Sequence, residues 1–456
     1  MRDLTATSKS TETNSIYGGL ISAQGLDLGQ FESIQTQVQA WNTEAGTGVK
    51  FVEARGIPIV DVVLRFKAGT VQDTEHPGLA ALTLSMLDEG SQQYTATEQA
   101  SHLERLGAVF EKQIRLEHAT LSLRSLSTPA VLGPSLALFT DLVARPAFLA
   151  PALDKIKQQL LQSNAARERR PASRARSETL RHMFSGHPYG SSLDSSEEAL
   201  AAVTPDDLRT FHQRAYSASN LELVVVGDLS FAEAQELSHQ ISQALPQRWS
   251  ATELPAVPAA TGTTLKVEQP GASSAVLLAL PFNVPANDPQ LPALELASGV
   301  LGEGLESLLM VELRQRRGLT YGVHTFVTPL RAGGLFTVEW QIAPTYVEGS
   351  QELVVDLLRD FIEQGPTQAE LQVARKQREG QLLRSVAQNK SLAALLAELA
   401  DQRQPDDYLN TYIERINSLT QGDVRTAMQR HLDLSCIVKV SVGPSVEQQS
   451  LPAPDQ

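Results

Sequence analysis

Cysteine is nearly absent: the 456 residues hold one, Cys436. No disulfide can form within the chain. That excludes a small stapled fold but leaves export and the cytoplasm both open, because large domains rarely need staples. Long apolar runs are also missing. Nothing approaches the ~18 consecutive apolar residues of a membrane helix, so no membrane span is expected. The opening "MRDLTATSKSTETNSIYGGL" has no apolar stretch of the signal-peptide kind. A soluble chain, cytoplasmic or periplasmic, is therefore expected. Positive charge is in deficit, with 38 Lys and Arg against 52 Asp and Glu and a net charge of −14. That balance argues against a nucleic-acid partner. It suits attraction of basic peptides, and equally plain solubility.

Familiar hydrolytic motifs are missing as well. The nine histidines form neither His-Glu-x-x-His nor His-x-x-Glu-His. Glu178 and His182 stand at i,i+4 and read as a surface helix pair rather than metal ligands. There is no Gly-x-Ser-x-Gly and no Walker-type loop. "GGL" at Gly18 and "GEG" at Gly302 are too short to cradle phosphate.

What is present is a chain able to bury substantial cores, 42% hydrophobic and 20% charged, long enough for two or more domains. Residues 1–34 read as an extension without periodicity. From Thr36, two strands flank a Gly-containing turn, and "IPIVDVVLRFKAG" is a third strand dense in β-branched residues. "GLAALTLSMLDEG" reads as a helix with a glycine stop, with Leu79, Leu82 and Met86 as core contacts. Residues 249–264, rich in Pro, Ala and Thr, read as a linker.

Beyond the linker lies an internal repeat. "TPDDLRTFHQRAYSASNLELVVVG" (204–227) aligns without a gap on "TQGDVRTAMQRHLDLSCIVKVSVG" (420–443), and each copy reads as a capped helix followed by a strand. "LTLSMLDEG" (82–90) echoes "LASGVLGEG" (296–304) at nearly the same offset. Two homologous α+β domains are therefore expected at 35–248 and 265–447, with a tail over 448–456.

The most specific stretch is "LMVELRQRRGLTYGVHTF", 309–326, which places Arg314 seven residues before Tyr321. A guanidinium and a phenol held together can donate hydrogen bonds to a carbonyl that becomes an oxyanion. Spacing alone equally allows an arginine on a solvated helix face and a tyrosine at a strand start. Gly302 and Gly304 read as a helix break before this segment that lets a partner or peptide approach closely.

These segments, with "FVEARGIPIVDVVLRFKAGT", "GLAALTLSMLDEGS", "HPYGSSLDSSEEALAAVTPDDLRTFHQRAY" and "NLELVVVGDL", resemble the pitrilysin/insulinase family of metallopeptidases over about residues 36–445. The similar branch is that of short, paired subunits, which includes the mitochondrial processing peptidase and bacterial heterodimeric zinc peptidases. The resemblance implies two α+β domains related by a pseudo-twofold, each a mainly antiparallel sheet packed with α-helices. It also implies that Arg314 and Tyr321 contact substrate and stabilise the tetrahedral intermediate. "HPYG" falls where the family has a loop, so His187 reads as a turn residue.

The chain departs from the pattern at the metal. Active members carry His-x-x-Glu-His on an early helix, where two His share one face and the Glu activates metal-bound water. The matching positions here are Ala81, Leu84 and Ser85. The place of the third ligand falls near Gln162 or Ser163, and the nearest carboxylate, Glu168, reads as part of an Arg-rich turn. The resemblance therefore implies no metal on this chain and no peptide hydrolysis by it alone. It implies zinc on a homologous partner, completed in trans by Arg314 and Tyr321. The alternative is a scaffold or peptide-binding subunit, as in relatives of the respiratory bc1 complex.

Overall fold

The computed structural model describes residues 35–73, 76–190 and 195–455. The expected extension, 1–34, lies outside the described residues. The first sheet is built from β1 (Gln39–Asn42), β2 (Gly48–Glu53), β3 (Ile59–Phe66), β4 (Val109–Ile114), β5 (Ala119–Leu126) and β6 (Leu221–Gly227), in the order β1-β2-β6-β3-β5-β4. The second contains β7 (Thr263–Glu268), β8 (Ser274–Phe282), β9 (Val323–Leu330), β10 (Gly333–Ile342) and β11 (Val438–Gly443), in the order β7-β11-β8-β10-β9. Without β1 the two orders are the same. Each sheet has one parallel pair at the same place, β2 with β6 and β7 with β11, and is otherwise antiparallel.

The repeated sequence copies occupy matching places. Each opens with a Thr-x-x-Asp capping box, Thr204 with Asp207 and Thr420 with Asp423, on the helices Pro205–Ala215 and Gln421–His431. The side-chain oxygen and the N3 carboxylate satisfy two amides that the first helical turn leaves free. Each cap contributes about 1 kcal/mol. The helices then lead into β6 and β11, interior strands at matching places in the two sheets.

β3 and β6 are buried along almost their whole length, so both faces of the sheet are covered. Part of the cover comes from the other half. The helix Asn389–Asp401 packs on β3 and β6, and reciprocally Pro171–Met183 packs on β8 and β11. Because β3 matches β8 and β6 matches β11, this exchange is what a local twofold produces. Ala393 and Ala397 let the first helix sit close, while Ala175, Thr179 and Met183, at i,i+4,i+8, form the buried stripe of the second. Neither half completes its core alone. Ala175, Met183 and Phe184 share one apolar cluster with Leu277, Ala279 and Val440.

Equivalent hairpin turns also meet. Glu117, in the β4–β5 turn, accepts from the Arg331 amide (3.0 Å) of the β9–β10 turn and from the Tyr189 hydroxyl, which itself accepts from the Ala332 amide (3.0 Å). Next to it, His118 Nδ1 lies 3.2 Å from Arg65 Nη2, and Nε2 lies 2.9 Å from Asp401 Oδ2. Arginine can only donate, so Nδ1 accepts and the proton sits on Nε2. Burial holds this imidazole below its ordinary pKa. Burial alone would raise the Asp401 carboxyl, but His118 and Arg65 hold it down at about 2. Tyr189→Phe is expected to cost about 1–3 kcal/mol, because it leaves the Ala332 amide unpaired inside the seam. Urea unfolding of the variant checks this; a cost under about 0.5 kcal/mol would show that the hydroxyl bridge contributes nothing.

The linker has no helix or strand from 251 to 262, but it is held. His187 Nδ1 accepts from the Tyr189 amide (3.1 Å), so Nε2 donates to the Pro255 carbonyl (2.9 Å). His187 thus lies in a turn, as expected, and serves as a latch.

Candidate functional site

The helix Leu79–Met86 forms as its sequence implies, with Leu79, Leu82 and Met86 buried. Gly78, at φ +94°, precedes it, and Asp73 caps it by accepting from the Gly78 (2.7 Å) and Ala80 (2.8 Å) amides. Burial raises the Asp73 carboxyl from 3.8 to about 6 despite those two donors. The unfolded carboxyl ionises first as pH rises, so this group favours the native state below pH 3.8 and that advantage is lost as pH rises through 6. Relative to Asp73→Asn, the wild type should lose about 2 kcal/mol between pH 4 and pH 7 in urea titrations. A pH-independent difference would contradict it.

Of the positions that the resemblance matches to the zinc motif, Ala81 and Leu84 lie in the core and Ser85 is half-buried. Ala81 is 5% and Leu84 3% exposed, and Leu84 belongs to the main apolar cluster with Leu153 and Ile156 of the helix Ala150–Glu168. Gln162 and Ser163 on that helix are exposed. Glu168, expected in a turn, is the last residue of the helix and stands 3.7 Å from Arg174. Glu178 pairs with Arg181 (2.7 Å) on a helix surface. The Ser85 carbonyl accepts from the Lys112 ammonium (2.9 Å), which also pairs with Asp88, while Lys155 pairs with Glu89 (2.9 Å). Two ammonium groups at this helix end oppose a divalent cation. Among the described residues no cluster of three His, Cys, Asp or Glu could hold a metal. The described residues at this helix end do not fit a zinc ion.

Arg314 and Tyr321 are brought together. Arg314 lies on a π-turn, Val311–Gln315, where the Arg316 amide donates five residues back to Val311 (2.9 Å). Such turns are rare and concentrate at functional sites. Buried Glu312 accepts from Arg316 (2.8 Å) and Arg317 (2.9 Å). The Arg314 guanidinium instead lies 4.7 Å from the Tyr321 ring centroid, a cation–π contact. Tyr321 is 88% exposed between buried Leu319, Thr320 and Val323. The Thr320 hydroxyl donates to the Gln341 carbonyl (2.7 Å), fixing the turn to β10. The phenol and guanidinium are thus presented to solvent on a rigid base, able to donate to an incoming carbonyl oxygen.

Gly302 and Gly304 are placed differently from one another. The helix Leu291–Gly302 ends as expected, and Gly304 takes φ +85°. Gly302 is buried, and a Cβ there would lie 2.6 Å from Thr325 Cγ2. The close approach it permits is to β9 of its own chain. Gly304 is exposed. Sequence reasoning missed Glu312 and Lys112; a glutamate two residues before the first arginine of "LRQRR" was the available signal for the former.

The Insulinase (Peptidase family M16) model matches residues 51–196, and the Peptidase M16 inactive domain model matches 202–378. A crystal structure described as a peptidase M16 inactive domain from Pseudomonas fluorescens is 34% identical and superposes with a TM-score of 0.87, covering 91% of this chain and 100% of that one. The chain belongs to the M16 family. This M16 chain is also 25% identical over 353 residues to a Helicobacter pylori protein named non-peptidase homolog YmxG, covering 76% of this chain and 81% of that protein. It is 23% identical over 380 residues to a Streptomyces coelicolor protein named "Uncharacterized zinc protease SCO5738", covering 80% of each. The inactive-domain match and the likeness to a non-peptidase homolog support a catalytically inactive M16 chain. No helix among the described residues is long and apolar enough to cross a membrane.

Proposed function

We propose that this M16 chain is the non-zinc subunit of a heterodimeric zinc metalloendopeptidase. Its partner is a homologous subunit that carries His-x-x-Glu-His and the zinc, and its substrate is a peptide. This chain binds and orients that peptide and donates hydrogen bonds from Arg314 and Tyr321 to the reacting carbonyl. One observation carries the reading: the guanidinium lies 4.7 Å from a ring that is 88% exposed, while Ala81 and Leu84 are packed away. Held together by the cation–π contact, the phenol and guanidinium keep hydrogen-bond donors free for an incoming carbonyl.

Co-expression with a zinc-bearing M16 partner tests the reading. Peptidase activity should require both chains, and metal analysis should find zinc on the partner and none held tightly here. Full activity of the partner alone would overturn the proposal, as would about one zinc per isolated chain of this protein.

A scaffold or peptide-holding subunit is the second reading. β4 and β9 each form one edge of their sheet, and Val109 (49%) and Phe326 (45%) on them are exposed. An edge of this kind accepts an extended peptide by strand addition. This reading needs neither Arg314 nor Tyr321 for turnover.

A further inference from the structure

Beyond β11 the chain does not leave the body. Residues 444–455 run without helix or strand along the second half. The Gln449 amide donates to the Thr345 carbonyl (2.8 Å). The Gln448 side chain bridges, accepting from the Glu348 amide (3.0 Å) and donating to the Pro344 carbonyl (2.9 Å). Leu451 rests on Gly349, where a Cβ would stand 2.9 Å from Leu451 Cγ. The segment then reaches the end of the Arg314 turn. Arg317 Nη1 donates to the Pro452 carbonyl (2.7 Å), and the Asp455 amide donates to the Arg316 carbonyl (2.6 Å).

These anchors bracket the candidate site. An open cleft of about 290 Å³ lies beside Tyr321, walled by the 318–321 turn on one side and by 341–343 on the other. Arg316 and Arg317 immediately precede the first wall; Pro344 and Thr345 immediately follow the second. The strap therefore joins the two walls from outside. The first wall is tied by the Gly318 amide to Arg314 (3.0 Å), by the Leu319 amide to Leu313 (2.8 Å) and by the Thr320 hydroxyl to the Gln341 carbonyl of the second wall (2.7 Å), so the strap adds a second link between the walls beyond that single bond. Gly318 itself sits at φ +62°, a conformation open to glycine at little cost.

We propose that the 444–455 segment is a positioning strap, which holds the Arg314 turn and the 341–345 wall at the separation that keeps Tyr321 under the Arg314 guanidinium. Arg317, gripping Glu312 and Pro452 together, is its positioning residue. The strap touches no peptide itself. This inference rests on the proposed trans role of Arg314 and Tyr321 for its consequence in activity, and on geometry alone for its consequence in order.

Two variants test it: a chain ended after Gly443, and full-length Gln448→Ala/Leu451→Ser, which loosens the strap without altering the body. Hydrogen exchange should speed up about tenfold or more at the Arg316, Gly318 and Leu319 amides in both, with the β8 and β11 amides unchanged. A synthetic 444–455 peptide should restore protection to the shortened chain. Unchanged exchange at those three amides in the double variant overturns the strap. In the reconstituted peptidase, strap loss should lower kcat about tenfold in the wild type and have no further effect in a Tyr321→Phe background, because both changes act on one interaction. A kcat loss of equal size in both backgrounds would also overturn it, as a general structural effect. Faster exchange with no role for Arg314 or Tyr321 in turnover would sink the trans proposal and leave the strap standing.

Discussion

Arg314→Ala or Tyr321→Phe, in this chain alone, is expected to lower the peptidase rate of the reconstituted heterodimer by about 10²–10³-fold, the usual loss for one oxyanion donor. The loss should fall on kcat and kcat/KM together, because the hydrogen bond strengthens only as the carbonyl gains charge. Tyr321→Phe is the sharper variant. It keeps the ring beneath the guanidinium, and with it the cation–π contact at 4.7 Å, while deleting only the hydroxyl. Arg314→Lys keeps the charge but not the planar stacking face, so it should rescue incompletely. Folding stability should barely move in Tyr321→Phe, within about 0.5 kcal/mol, because the side chain is 88% exposed. A reduced rate with intact stability separates a chemical role from a packing role. Wild-type kcat in both variants would leave only the scaffold reading.

Leu84→Glu is expected to destabilise this chain by more than about 4 kcal/mol, a large part of a typical folding free energy. The resemblance matches Leu84 to the general base of active relatives, so the substitution tests whether this helix face can serve as a site. Its side chain is 3% exposed within the main apolar cluster. Losing its burial costs about 2–3 kcal/mol. The new carboxylate must also shed water without a partner or take up a proton. Ser85→His, at a half-buried position, should be far milder. The combined Ala81→His/Leu84→Glu/Ser85→His chain should neither gain peptidase activity nor hold zinc, since exposed Gln162 and Ser163 offer no carboxylate as third ligand. Thermal unfolding and metal analysis read both outcomes. A Leu84→Glu chain within about 1 kcal/mol of wild type would mean that this helix face still borders a wet cavity.

The two-copy architecture was legible because its signals are local. Thr204 with Asp207 and Thr420 with Asp423 announce helix starts from four residues each, and the valine runs of β6 and β11 announce buried strands. The Arg314–Tyr321 segment was legible as a pattern. Its geometry was not: the π-turn and the 4.7 Å stacking depend on Glu312 drawing Arg316 and Arg317 aside, a choice among three arginines that spacing does not express. Gly302 was misjudged as a point of approach for a ligand because its neighbour, Thr325, is distant in the chain and adjacent only in space.

By itself the sequence determined that Ala81 and Leu84 cannot ligate zinc, since neither side chain carries a donor atom. It also determined the repeat, the linker and the helix caps, all properties of neighbouring residues. Only the tertiary structure decided what fills the vacated helix face, which half covers which sheet, and where residues 444–455 lie. Those outcomes rest on contacts such as His118 with Asp401 and Arg317 with Pro452. They join residues more than a hundred positions apart, where the pairing is set by packing shape and by buried charges finding partners, and local periodicity carries no record of it.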